Sequence, residues 1–269
     1  MKRQWYATPY ALWMLMFTIV PLIFVVYYAF TGGSGAFTLA NFEKIATPAY
    51  IPVLLTSLKL AFFCTIICLL IGYPTAYFLA SKDFSENKML VVLILLPMWM
   101  NFLLRTYAMM TILENNGLIN TLLEKLGLAK VQFIGTEGAV LLGMVYNFLP
   151  FMVLPIYTAL KKLDAGVIEA AEDLGANPLR VITRVVVPQS IPGVISGITM
   201  VFMPAVTTFA ITRLLSNGMI YLMGDMVEEY FITVNNRNVG SSMSLVMLVL
   251  ILITTLLLRS MNPVKGERA

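Results

Sequence analysis

The sequence predicts an all-α membrane protein with six transmembrane helices, and three observations carry that expectation. Of 269 residues, 59% are hydrophobic and only 12% charged. Six apolar stretches approach the length of a bilayer crossing, and polar clusters separate them. A soluble domain carries about 25% charged residues to cover its water-facing surface. The mean hydropathy of +0.85 therefore describes a chain solvated by lipid and excludes an ordinary soluble enzyme. The net charge of +4 comes from Lys and Arg scattered between apolar runs, which reads as membrane topology and not as a nucleic-acid face.

A helix needs about 20 residues to cross a hydrocarbon core of about 30 Å. By that measure the spans run over residues 10–30, 54–79, 89–110, 138–160, 191–211 and 239–258. The first ends in Tyr27, Tyr28, Ala29 and Phe30, which form no A-x-A cleavage site, so it is expected to stay as an anchor. In the second, Cys64 and Cys68 stand four apart on one helix face, a spacing that suits packing. The third carries Arg105 near its outer end, expected to snorkel or to pair with Glu114. Pro21, Pro74, Pro97, Pro150, Pro155 and Pro204 lie in or near spans, where kinks are expected.

An even number of spans puts both termini on one side of the membrane. Lys2, Arg3, Lys82, Lys88, Lys161, Lys162, Arg180, Arg184, Arg259, Lys265 and Arg268 share that side. The opposite side holds Lys44, Lys59, Arg105, Lys125, Lys130, Arg213 and Arg237. The excess of positive charge predicts cytoplasmic termini and a cytoplasmic loop before the fifth span. With no histidine and only two cysteines, zinc sites, Ser-His-Asp triads and Cys-His pairs are excluded. No G-x-x-x-x-G-K-[ST] phosphate loop is present, so ATP, if used, is bound by another chain.

The loop at about 161–188 carries the strongest local signal. Asp164 is placed to cap a first helix, and Gly175 to end it in the left-handed conformation. Asn177 then caps a second helix that opens with Pro178. Two short helices joined by a tight turn are expected. Val167, Ile168, Ala171 and Leu174 recur at spacings that gather them toward one face of the first, with Glu169, Glu172 and Asp173 elsewhere. Taken alone, this pattern describes an interfacial amphipathic segment with solvated acids.

Glu169-Ala170-Ala171, Gly175 four residues on, and Pro188 thirteen residues after Gly175 resemble the EAA loop of permeases of binding-protein-dependent ABC importers. Val185 and Val187 stand where that pattern has Ile and Leu. The resemblance implies six helices in a type I importer arrangement, with the whole chain, 1–269, as one permease domain. It also implies a coupling role for Glu169, Ala170, Ala171, Gly175 and Pro188, whose first helix enters a cleft of a cytoplasmic ATPase subunit. Expected partners are such ATPases, which bind ATP and Mg, a second homologous permease, an extracytoplasmic binding protein and the lipid bilayer of a bacterial inner membrane. No cofactor or metal is expected in this chain, and no nucleic acid.

Three further stretches, 96–108, 116–120 and 160–173, resemble permeases of the spermidine/putrescine importers, which implies polyamine cargo. Importers of iron, thiosulfate or aminophosphonates share the layout and remain alternatives. A polycation crossing a low-dielectric passage needs acceptor oxygens or aromatic faces. Trp99, Asn101, Tyr107, Tyr146 and Asn147 are candidates to supply them. Interfacial anchoring serves Trp99 and Tyr107 equally, and helix packing serves Asn101. Relatives carry an acid near the position of Thr208. Here the sequence has Thr207-Thr208 and then Arg213, so acids on the path must come from a partner or from Asp225, Glu228 and Glu229, for which a solvated face is the rival reading. A secondary transporter would need ionisable groups inside its spans, which are nearly free of them, and a membrane scaffold would need a recruitment domain.

Overall fold

A computed structural model describes residues 8–33, 35–81 and 88–260. Among these the chain is helical, with one isolated antiparallel bridge between Thr31 and Phe37. In chain order the helices are α1 (Pro9–Ala29), α2 (Ala40–Ile45), α3 (Ile51–Ala80), α4 (Lys88–Trp99), α5 (Phe102–Leu113) and α6 (Leu118–Lys125). They continue with α7 (Glu137–Leu160), α8 (Ala165–Asp173), α9 (Pro178–Thr207), α10 (Ala210–Leu215), α11 (Met223–Ile232) and α12 (Arg237–Ser260). Five of them, α1, α3, α7, α9 and α12, are each long and apolar enough to cross a bilayer.

The centre of the bundle is α3, α7 and α9 packed on one another. Lipid offers no hydrophobic drive for helices to associate, so small residues that let backbones approach become decisive. Met152 of α7 is gripped from two sides. A Cβ on Gly72 of α3 would lie 3.0 Å from its Cγ, and one on Gly197 of α9 would lie 2.7 Å from its Sδ. A turn below, a Cβ on Gly193 would lie 2.5 Å from Ala159 Cβ and 2.8 Å from Pro155 O. Cys64 and Cys68 are buried and unbridged, with Cys68 Sγ against Val145 O at 3.8 Å, which is the packing role their spacing indicated. Outside this core, α1 packs on α12.

Two expected spans come out differently. Residues 89–110 do not form one helix: the segment is two 12-residue helices, α4 and α5, with a break at Met100 and Asn101. Pro97 removes a ladder donor just upstream, and Asn101 starts a new helix by accepting from Leu103 N at 2.9 Å and Leu104 N at 3.2 Å. The fifth span, expected over 191–211, begins earlier and stops earlier. Its helix runs from Pro178, so the second loop helix is not a separate short one, and it breaks at Thr208 before α10 begins.

Wide π turns precede two of the prolines. Leu15–Ile19 comes just before Pro21, and Ile182–Val186 just before Pro188. A proline ring collides with the carbonyl four residues back in a regular helix, and a π turn makes room for it.

Filling the α7–α9 contact is expected to loosen the bundle. Gly193→Leu should cost about 1–3 kcal/mol by overpacking and lower the melting temperature of the purified protein in detergent, whereas Gly33→Ala, where a Cβ meets nothing within 4 Å, should leave it unchanged.

Candidate functional site

At one end of the bundle, residues 161–180 carry helix caps at Asp164 and Asn177, though the second helix runs on as α9. Asp164 Oδ1 accepts from Gly166 N at 2.9 Å and starts α8. Gly175 has φ +80°, a conformation in which a Cβ is costly, although nothing surrounds that position within 4 Å. Its N–H donates to Glu172 O at 2.8 Å, while Ala176 N donates to Ala171 O at 3.1 Å. Those two bonds together close the helix and satisfy carbonyls that would otherwise be orphaned. Asn177 Oδ1 then accepts from Arg180 N at 2.9 Å, so α9 starts three residues after the glycine.

The apolar face expected of α8 is divided. Ile168 and Ala171 pack toward the core, together with Leu163 and Ala176. Val167 and Leu174 do not join them: Leu174 is 89% exposed, because it occupies the helix C-cap and the chain turns away there. Leu179, at the start of α9, is exposed as well. Glu169 and Ala170 lie on the outer surface of the loop, and Glu169 also borders a cavity of about 410 Å³ between α8 and the ends of α3 and α7. Pro188 borders a larger groove, about 740 Å³, between α7 and α9.

The residues expected along a passage stand on α4, α5 and α7 and in the break before α5, and they differ in exposure. Trp99 ends α4 and is 85% exposed, and Tyr107 and Tyr146 are partly exposed on α5 and α7. Asn101 is used as a helix cap. Asn147 is wholly buried and donates to Gly143 O at 2.9 Å and Thr106 Oγ1 at 3.3 Å, tying α7 to α5. Arg105 does not snorkel, being 5% exposed, and among the described residues it meets no carboxylate and its Nε and Nη1 have no hydrogen-bond partner.

A second constellation stands at the opposite end, where α9 breaks. Asp225, Glu228 and Glu229 recur at i, i+3 and i+4 on α11, a spacing that puts three carboxylates on one helix face. They are not a solvated face. Asp225 is buried and accepts from Thr212 Oγ1 at 3.0 Å and Leu222 N at 2.9 Å, joining α10 to the start of α11. Glu228 meets Arg213 Nη1 at 2.7 Å, and Glu229 accepts from the Tyr221 hydroxyl at 2.5 Å. That bond, with burial, pushes Tyr221 up to about 12. Burial pushes Asp225 up to about 6 despite its two donors, which favour the anion. Ser57 of α3 accepts from Met223 N at 2.9 Å and pins the start of α11 to the core. The i, i+3, i+4 spacing was readable in the sequence, but the burial of Asp225 was not.

A bundle of long apolar helices, one of them breaking before a short helical segment, with a capped helical loop at one end, is the architecture of a multi-span membrane protein. Solved structures agree on the fold. A bacterial ABC transporter that imports the acidic polysaccharide alginate superposes with a TM-score of 0.80 at 18% identity, covering 99% of this chain and 98% of that one. The MetNI methionine ABC transporter superposes at 0.55 with 16% identity, over 79% and 92% of the two chains. Residues 3–264 match the family described as the binding-protein-dependent transport system inner membrane component, and the chain belongs to that family. It is accordingly a multi-pass inner-membrane transport component and not an enzyme. Among curated relatives it is 36% identical over 246 residues to the spermidine/putrescine transport system permease protein PotB of Haemophilus influenzae, covering 88% of this chain and 86% of that protein. Against PotB of Escherichia coli it is 34% identical, covering 87% and 88%.

The buried carboxyl sets a pH dependence. Because its proton is held more tightly in the fold than in the unfolded chain, Asp225 contributes stability below pH about 4 that is lost as pH rises through about 6. The melting temperature of the native protein relative to Asp225→Asn should therefore be higher at pH 5 than at pH 7.5; a difference that is constant with pH would remove this assignment.

Proposed function

We propose that this chain is the transmembrane permease subunit of an ATP-driven importer of polyamines, spermidine or putrescine, delivered by an extracytoplasmic binding protein. The observation that carries the cargo is the 36% identity to a spermidine/putrescine permease across 88% of the chain. The reading takes 1–269 as one permease domain with six spans, counting α4 and α5 together as the third. Their 12 residues each rise about 36 Å in sum at 1.5 Å per residue, enough for a hydrocarbon core. Both termini and the loop at 161–188 are assigned to the cytoplasm on the excess of Lys and Arg there.

In this reading Glu169, Ala170, Ala171, Gly175 and Pro188 couple the permease to ATPase subunits that bind ATP and Mg. Exposed Leu174 and Leu179 add apolar surface to the loop that carries Glu169, the composition of a protein contact. The loop's second helix is the start of α9. A push on α8 is thus delivered through the Gly175 turn directly to a helix of the central trio, with no flexible linker to absorb it. A second homologous permease completes the pore, and closure of the ATPases drives the exchange between outward-facing and inward-facing states. Trp99, Tyr107 and Tyr146 are the passage candidates that keep exposed ring surface. Asn101 and Asn147 act by holding the α5 and α7 backbones.

The test is uptake of labelled spermidine and putrescine by cells carrying the complete transporter, with iron and thiosulfate as controls. Saturable polyamine uptake is expected. Gly175→Val places a β-branched residue at φ +80°, at a cost of about 1–2 kcal/mol. It should abolish uptake and copurification with the ATPase while the chain still inserts in the membrane. Uptake at the native rate in that variant would refute the coupling role, and uptake of a control solute in place of polyamine would refute the cargo.

A further inference from the structure

Two cavities meet at Glu228. One, about 420 Å³, lies between the end of α9, α11 and α12 and is walled by Phe209, Val227, Met247, Leu248 and Ile251. The other, about 250 Å³, is polar and is bordered by Arg213, Tyr221, Asp225 and Glu229. Glu228 lines both, with its side chain only 16% exposed. An aliphatic chamber beside an acidic one, with a carboxylate on the shared wall, matches a ligand that alternates methylene stems with ammonium groups.

We propose that Glu228 binds an alkylammonium group of the cargo at the end of the bundle opposite the 161–188 loop, with the methylene stem in the apolar chamber and Arg213 as a displaceable internal stand-in. The inference rests on the polyamine reading and assigns it a site.

Five features support it. The carboxylate already holds a cation, the Arg213 guanidinium at 2.7 Å, and that side chain is 67% exposed. A largely solvated guanidinium regains water when it leaves, so exchange for an incoming ammonium is inexpensive. The apolar chamber lies at the C-terminal end of α9, where the helix dipole is negative. The carbonyl oxygens of Thr207 and Thr208 face Gly224 there so closely that a Cβ would come within 2.5 Å of each. Thr207 and Ser244 also border the chamber, and their hydroxyl protons are already donated, to Met203 O at 3.2 Å and Gly240 O at 2.9 Å. Each hydroxyl oxygen is left as an acceptor, and the Phe209 ring adds a face for a cation.

The test is equilibrium binding of labelled spermidine to the purified permease–ATPase complex without binding protein, alongside uptake by the complete transporter. Glu228→Gln should weaken binding by about tenfold or more, the scale of a hydrogen bond to a charged group, and Glu228→Asp should restore part of it. Arg213→Gln should tighten binding, because it removes the competing cation. Ile251→Trp, which fills the apolar chamber and leaves every charge in place, should weaken binding and so covers the case in which Glu228→Gln does not fold. A purely structural Arg213–Glu228 pair gives the opposite pattern, with neither variant tightening. Polyamine uptake by the native transporter with no measurable binding, or with equal binding by native and Glu228→Gln complexes, overturns the site alone. Absence of polyamine uptake by the native transporter overturns the cargo and the site together.

Discussion

Met152 sits where three helices meet, and the rest of the structure is arranged around that contact. Gly72 and Gly197 give it room on either side, so α3, α7 and α9 approach as closely as their backbones allow. In water such a core would gain from expelling solvent. In lipid the gain comes from dispersion and fit, so a single added carbon at the contact is felt in full. Fixing α9 against α7 and α3 fixes both of its ends: the loop that begins it at Asn177 and the break that stops it at Thr208.

Those two ends are joined by one nearly continuous helix. Thirty residues of α9 span about 45 Å at 1.5 Å per residue, from the capped loop to the carboxylates of α11. The π turn at Ile182–Val186 and the prolines Pro188, Pro192 and Pro204 disturb its regular hydrogen-bond ladder.

The interruptions obey a common rule. Pro97 stands four residues before Asn101, and Pro204 four before Thr208. Each removes a donor in the turn preceding the break, and past the break the free N–H groups of the next segment need acceptors. After Asn101 the side-chain oxygen supplies them. At Thr208 the close approach of Gly224 and the buried Asp225 organise the chain, and the acidic chamber is a consequence of that repair.

Composition and apolar run length were enough to specify a helical membrane protein and the positions of α1, α3, α7 and α12, because a bilayer demands about 20 apolar residues wherever a chain crosses it. The turn at 164–178 was equally legible, since Asp164, Gly175, Asn177 and Pro178 act through bonds to their immediate neighbours. What depended on distant contacts was not legible. The division of α4 from α5, the early start of α9, the burial of Arg105 and Asn147, and the exposure of Leu174 follow from which helices face each other. The carboxylates of α11 were visible as a spacing, but whether they met water or a chamber was decided by Ser57 and Thr212, brought from other helices, and by the close approach of Gly224 to the end of α9. Local bonding is written in adjacent residues, whereas burial is a property of the packed bundle.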